Sequence, residues 1–142
     1  KMKKYSSQST QIIALVVEDD PACLDYLVFL LKKLNIELMT ARTGEEALEL
    51  MEDHEFNCFL LDISLGPGIT GIEVFEKIRE IPRFENIPVF AVTATMREDL
   101  QGLLDRGFTK CLEKPYKFDQ LKSMLYSYFP QLEEVEKKEL EF

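Results

Sequence analysis

Apolar residues fall along this chain in two alternating rhythms. Short apolar-rich runs at residues 12–17, 36–41, 58–61, 89–92 and 108–113, unbroken at 12–17, 58–61 and 89–92, are bounded by polar or turn residues. Such runs predict strands, the continuous ones covered on both faces. Between them, apolar residues recur at the spacing of one helical face. Leu24, Leu27, Val28, Leu31 and Leu34 mark the first helix, opened by Asp20 as cap with Pro21 behind it and stopped near Asn35. Ala47, Leu48 and Met51 follow a capping box of Thr43 with Glu46. Ile72, Phe75 and Ile78 line a third helix ended by Pro82, and Leu100, Leu103 and Leu104 a fourth closed by Arg106-Gly107. A fifth, over residues 118–129, carries Leu121, Leu125 and Phe129 on one face. The run at 36–41 is the less apolar, as an edge strand requires.

Five strands alternating with five helices on short connections specify right-handed crossovers and a parallel sheet. The expected fold class is therefore α/β, a three-layer, doubly wound domain over residues 12–129. Residues 1–11 are polar and read as a flexible arm. Residues 130–142 form a charged tail, read as a solvated extension with room for a turn or two of helix. Lys1 precedes Met2, which reads as a processed product or an added residue before a natural start.

The chemistry sits where the strands end. The run at 12–17 meets Glu18-Asp19-Asp20, that at 58–61 meets Asp62, that at 89–92 meets Thr93, and the weaker one around Leu112 meets Lys114-Pro115. Ligands of open parallel sheets bind beyond the carboxyl ends of the strands, where strand order reverses. If the first strand is central, Glu18, Asp19 and Asp62 crowd one crevice, and their repulsion calls for a divalent cation. Oxygen donors with open water positions suit Mg²⁺, or Mn²⁺ in its place. A cation beside Asp62 would let a carboxylate meet an anionic phosphoryl donor, with Lys114 and Thr93 on the phosphoryl oxygens. Asp20 reads as a helix cap, and His54, the lone histidine, as a solvated loop residue.

Composition removes other classes. Seventeen basic against 26 acidic residues give a net charge of −9, which argues against a nucleic-acid or anionic-membrane surface. No apolar run approaches the roughly 20 residues of a membrane span, and no secretory signal is visible. Cys23, Cys58 and Cys111 lack paired spacing and read as reduced thiols of a cytoplasmic protein.

Val16-Val17-Glu18-Asp19-Asp20, Leu60-Leu61-Asp62, Ala91-Val92-Thr93-Ala94 and Lys114-Pro115, in this order, resemble the receiver domain of two-component response regulators. The resemblance covers roughly residues 11–129 and implies a flavodoxin-like fold with strand order 2-1-3-4-5. It implies a phosphorelay module whose Asp62 accepts a phosphoryl group from a histidine kinase or a histidine phosphotransfer protein. Mg²⁺ would be held by Glu18, Asp19, Asp62 and the Ser64 backbone carbonyl. Thr93 and Lys114 would contact the phosphoryl group, Thr93 as the switch, and the bond before Pro115 would be cis. Ser64 and Thr95 would tune hydrolysis. The output face would be that of the fourth helix, fifth strand and last helix, around residues 96–106, Lys110, Cys111 and Tyr116, in a monomer or a phosphorylation-dependent dimer. Two departures stand out: Cys111 occupies the position where the family usually has Tyr or Phe, and the loop after Asp62 is one residue longer than its common form.

The resemblance implies a signalling module, not a turnover enzyme on an external substrate. The ending soon after the last helix suggests a free-standing receiver or one excised from a larger regulator. An aspartyl phosphatase of related fold would need a second carboxylate where Ser64 stands. A flavin-binding protein would offer hydroxyls and glycines where this chain has Glu18-Asp19-Asp20. A degenerate receiver would have lost one of the five site residues.

Overall fold

The computed structural model describes residues 11–94 and 97–140. The expected arm, apart from Gln11, and Thr95 lie outside the described residues. Strands β1 (Ile13–Val17), β2 (Glu37–Ala41), β3 (Cys58–Leu61), β4 (Val89–Thr93) and β5 (Lys110–Glu113) form one parallel sheet in the order β2-β1-β3-β4-β5. Helices α1 (Pro21–Lys33), α2 (Gly44–Asp53), α3 (Gly71–Glu80), α4 (Arg97–Arg106) and α5 (Phe118–Tyr128) connect and follow the strands. A 3₁₀ turn, Pro82–Phe84, separates α3 from β4.

Two apolar cores divide the molecule. On one face Leu27, Leu31, Leu121 and Leu125 from α1 and α5 cover Val16, Leu60 and Phe90. On the other, Ala47, Met51, Val74, Ile78 and Leu103 cover Leu15, Phe59 and Ala91. β3 is buried at all four residues, hence its unbroken apolar sequence. Strand β2 is the half-exposed edge the sequence predicts.

Local chemistry sets the boundaries. Asp20 caps α1 through the Cys23 N–H (2.8 Å), Pro21 follows, and Asn35 takes a left-handed turn at φ 63° after the helix. Gly107 does the same after α4 at φ 113°. The expected capping box on α2 is only half made. The Thr43 hydroxyl accepts the Glu46 N–H, but the Glu46 carboxylate turns to the Arg42 N–H (2.6 Å). A complete box stands instead on α3, between Thr70 and Glu73. Val74 joins Phe75 and Ile78 in burial there, while Ile72 is only half-covered.

The largest difference from expectation is at the carboxyl end. Residues 130–140 form a sixth helix, α6 (Pro130–Leu140), rather than a solvated tail. Leu132 is only 3% exposed and joins the core shared by α1 and α5. Glu136 accepts from the Tyr126 hydroxyl (2.8 Å) and from Lys122 (3.2 Å). A single buried leucine in a charged stretch does not announce an amphipathic face; the facing groove gives it one.

Candidate functional site

Three neighbouring strands deliver their terminal residues to one crevice. Glu18 and Asp62 stand just past the ends of β1 and β3, held level by the pairing of Val17 with Leu61. The Asp62 N–H donates to the Val17 carbonyl (2.9 Å) and the Glu18 N–H to the Ala41 carbonyl (3.0 Å). Both acids are therefore fixed by the sheet. Glu18 is 2% exposed and Asp62 5%, while Asp19 is half-exposed. The three carboxylates each turn an oxygen to one point, those oxygens lying within 4.8 Å of one another.

Lys114 reaches in from beyond β5. Its Nζ lies 2.7 Å from Glu18 Oε1 and 3.5 Å from Asp62 Oδ2. Burial pulls its pKa down, but the hydrogen bond it donates to Glu18 and the charges of Asp62 and Glu18 outweigh that and hold it above its ordinary value. Glu18 is pushed up, first by burial and then by Asp62, against the lowering pull of Lys114 and the Asp20 N–H. Thr93 ends β4 fully buried, its carbonyl accepting the Lys114 N–H (2.9 Å). The bond from Lys114 to Pro115 is cis. The Ser64 N–H donates to Asp62 Oδ1 (3.0 Å), folding the following loop back over the carboxylate.

This donor set fits a small hard cation. Three carboxylates gather where one ammonium pairs with two of them, and two carboxylates at such a spacing repel by roughly 3 kcal/mol at an effective dielectric of 20. Glu18, Asp19 and Asp62 would hold the ion. Oxygen-only ligands with one side open to solvent match Mg²⁺.

Other features were not legible in the sequence. Arg42 donates from Nη2 to the Asp19 carbonyl (3.3 Å), tying the acidic loop to the end of β2. Gly71 opens α3 against the Asp62 backbone, where a Cβ would lie 2.4 Å from the Asp62 carbonyl oxygen. The Thr70–Glu73 spacing was the visible signal for a helix start there. Tyr116 does not join the face of α4, β5 and α5 with which the sequence groups it. Its ring packs on Tyr26 of α1 (centroids 5.5 Å), and its carbonyl accepts the Tyr26 hydroxyl (3.3 Å). Asp20 serves as a cap, and His54 is an exposed residue ending α2.

Known proteins share this arrangement. The response regulator receiver domain family matches residues 14–126. An uncharacterized 14.6 kDa protein in the sodA1 3' region of Leptolyngbya boryana is 37% identical over 106 residues, 74% of this chain and 80% of that one. The signal transduction histidine-protein kinase BarA of Escherichia coli K12 is 32% identical over 117 residues, 82% of this chain. This chain spans only 13% of that kinase's length. Among solved structures, the receiver domain of sensor histidine kinase PA1611 from Pseudomonas aeruginosa superposes with a TM-score of 0.76 at 25% identity, covering 84% of this chain and 98% of that one. That structure holds a magnesium ion in its active-site cleft. Response regulator TrrA from Thermotoga maritima, in complex with Mg²⁺ and BeF, gives 0.72 at 29% identity over 82% and 97%. Strand order, strand-end acids and family match agree: this chain belongs to the response regulator receiver domains of two-component systems.

Proposed function

We propose that Asp62 is the phosphoacceptor of a phosphorelay and that its modification switches a partner-binding face. The single observation that carries this reading is the convergence of Glu18, Asp19 and Asp62 on one point, with Lys114 within 3.5 Å of Asp62. A carboxylate oxygen of Asp62 attacks the phosphorus of a phosphohistidine donor. The phosphorus–nitrogen bond breaks, and the imidazole leaves with its electron pair and takes up a proton. Bound Mg²⁺ would neutralise charge on the phosphoryl oxygens. Lys114 exchanges its pairing with Glu18 for a phosphoryl oxygen, and Thr93 closes on another. Several relatives are sensor histidine kinases, BarA and RcsC among them, which supports a histidine kinase or phosphotransfer protein as donor.

The chain catalyses this step on itself and does not turn over an external substrate. Ser64, exposed beside Asp62, is placed to influence the lifetime of the phosphoryl group. The face of α4, β5 and α5 carries the output, with Leu104 and Tyr128 exposed and Cys111 half-buried. Incubation with a small acyl phosphate or phosphoramidate and Mg²⁺, followed by intact mass, is expected to show one phosphoryl adduct. Asp62→Asn should show none; an undiminished adduct in that variant overturns the assignment.

A further inference from the structure

The opposite end of the sheet carries a second surface. Among the described residues β2 pairs only with β1, so one side of it is open. Glu37 donates its N–H to the Ile12 carbonyl (2.9 Å), and the Ala41 carbonyl accepts from Glu18 (3.0 Å). Odd-numbered residues of β2 therefore bond inward. By alternation, Leu38 and Thr40 turn their N–H and C=O groups outward. An open edge is ordinarily blunted by charge, proline or a bulge. β5, the other edge, has Lys110 and Glu113 at its two ends, whereas β2 has Glu37 at one end only and then the uncharged Leu38-Met39-Thr40-Ala41.

Two hollows meet along this edge. One, of about 750 Å³, is lined by Val28 of α1 with Asp25 and Lys32 beside it, by Leu38, Met39 and Thr40, and by Leu50 of α2. The second, of about 500 Å³, shares Thr40 and Leu50 and is walled by Glu46, Glu49, Glu52 and Asp53. Leu38 packs with the core under α1, and Met39 with the core under α2. A strand laid along β2 would thus send alternate side chains to a mixed wall, apolar at Val28 and Leu38 and charged at Asp25 and Lys32, and to an acidic one.

We propose that the β2 edge is a docking site for an extended, basic segment of a partner protein with alternating apolar and cationic residues. The segment adds a sixth strand. Leu38 and Thr40 supply the backbone hydrogen bonds. Apolar side chains settle towards Val28 and Leu38. Lysine or arginine stems pass over Met39 and Leu50 to reach Glu46, Glu49, Glu52 and Asp53. A second copy of this chain is the poorer occupant, because two-fold pairing of β2 would bring two such acidic walls together. The proposal is independent of the chemistry at Asp62.

The probe is the peptide acetyl-Val-Lys-Val-Lys-Val-Lys-amide, titrated into the ¹⁵N-labelled full chain. Expected are shifts at Leu38, Met39 and Thr40 and slowed exchange of the Leu38 and Thr40 amides. Reversing Glu49 and Asp53 to Lys should weaken binding about tenfold, a change of about 1.4 kcal/mol. The same peptide N-methylated at every residue keeps its charge but donates no backbone hydrogen bond from either edge. Equal binding by that analogue, or by a glutamate version, overturns the proposal. So do shifts confined to other surfaces, or Leu38 and Thr40 amides already protected by self-association without peptide.

Discussion

Single residues of the site hold positions that other residue types cannot fill. Gly71 is one: both atoms nearest to an added Cβ, the Asp62 oxygen at 2.4 Å and Ile63 Cα at 2.8 Å, are backbone and cannot swing away. Gly71→Ala is expected to cost about 2 kcal/mol in urea denaturation, as forced overpacking does. It should also slow phosphorylation by moving Asp62, and an unchanged rate would show that the carboxylate tolerates the shift. Cys58 is another fixed residue, its thiol pushed up to about 12 by burial in β3. At pH 8 it should stay inert to a thiol reagent in the folded chain and react only on unfolding. Rapid modification of the native protein at Cys58 would contradict the packing of β3.

At the scale of elements, α6 is the part whose energetics most reward measurement. Leu132→Ala removes a nearly fully buried side chain and should cost about 3 kcal/mol. Glu136 adds a pH-dependent share. Its pKa is lowered from 4.5, first by the Tyr126 hydroxyl and then by Lys122. A carboxyl group with a lowered folded-state value stabilises fully above its unfolded value and loses that contribution as pH falls through the folded one. Acidification below about pH 4.5 should therefore loosen α6, read as faster amide exchange over residues 130–140. Glu136→Gln should remove that part of the pH dependence, and an identical acid profile in both chains would show that the contact carries no stability. The capping boxes teach a related lesson. Thr43 with Glu46 and Thr70 with Glu73 share one spacing, yet only the second closes fully. Spacing fixes which groups can reach; the neighbouring Arg42 N–H decides which one wins.

Across the whole molecule, the acidic cleft, α6 and the β2 edge occupy separate places around the sheet. Asp62 lies at the carboxyl end of the central strands, α6 lies against α1 and α5, and the β2 edge is on the far side from β5. On the proposed function, a phosphoryl group on Asp62 would bias first β4 and β5, the strands that carry Thr93 and end at Lys114. With Mg²⁺ and beryllofluoride, amide shifts should concentrate in β4, α4 and β5, including Cys111, and leave α2 and α6 nearly unmoved. Cys111 makes this informative, because a small thiol stands where the family usually carries an aromatic ring. Shifts spread evenly over the molecule would mean a global rearrangement rather than a local switch. No helix among the described residues is long and apolar enough to cross a membrane.

The sequence by itself determined the alternation of strands and helices, the edge character of β2, the stops at Asn35 and Gly107, and the residues that end each strand. These follow from local rules: side-chain period, backbone freedom and the abrupt change from apolar to charged. Strand order came from the family resemblance, and the sheet then brought Glu18, Asp19, Asp62 and Lys114 together. Tertiary structure alone decided how far Lys114 sits from each acid, the turn of Tyr116 onto Tyr26, the close approach of Gly71 to Asp62 and the docking of α6. Each of these joins residues distant in the chain or depends on a surface that several elements build together. Spacing along one segment carries no record of such a surface, because the energy that fixes it resides in the partner.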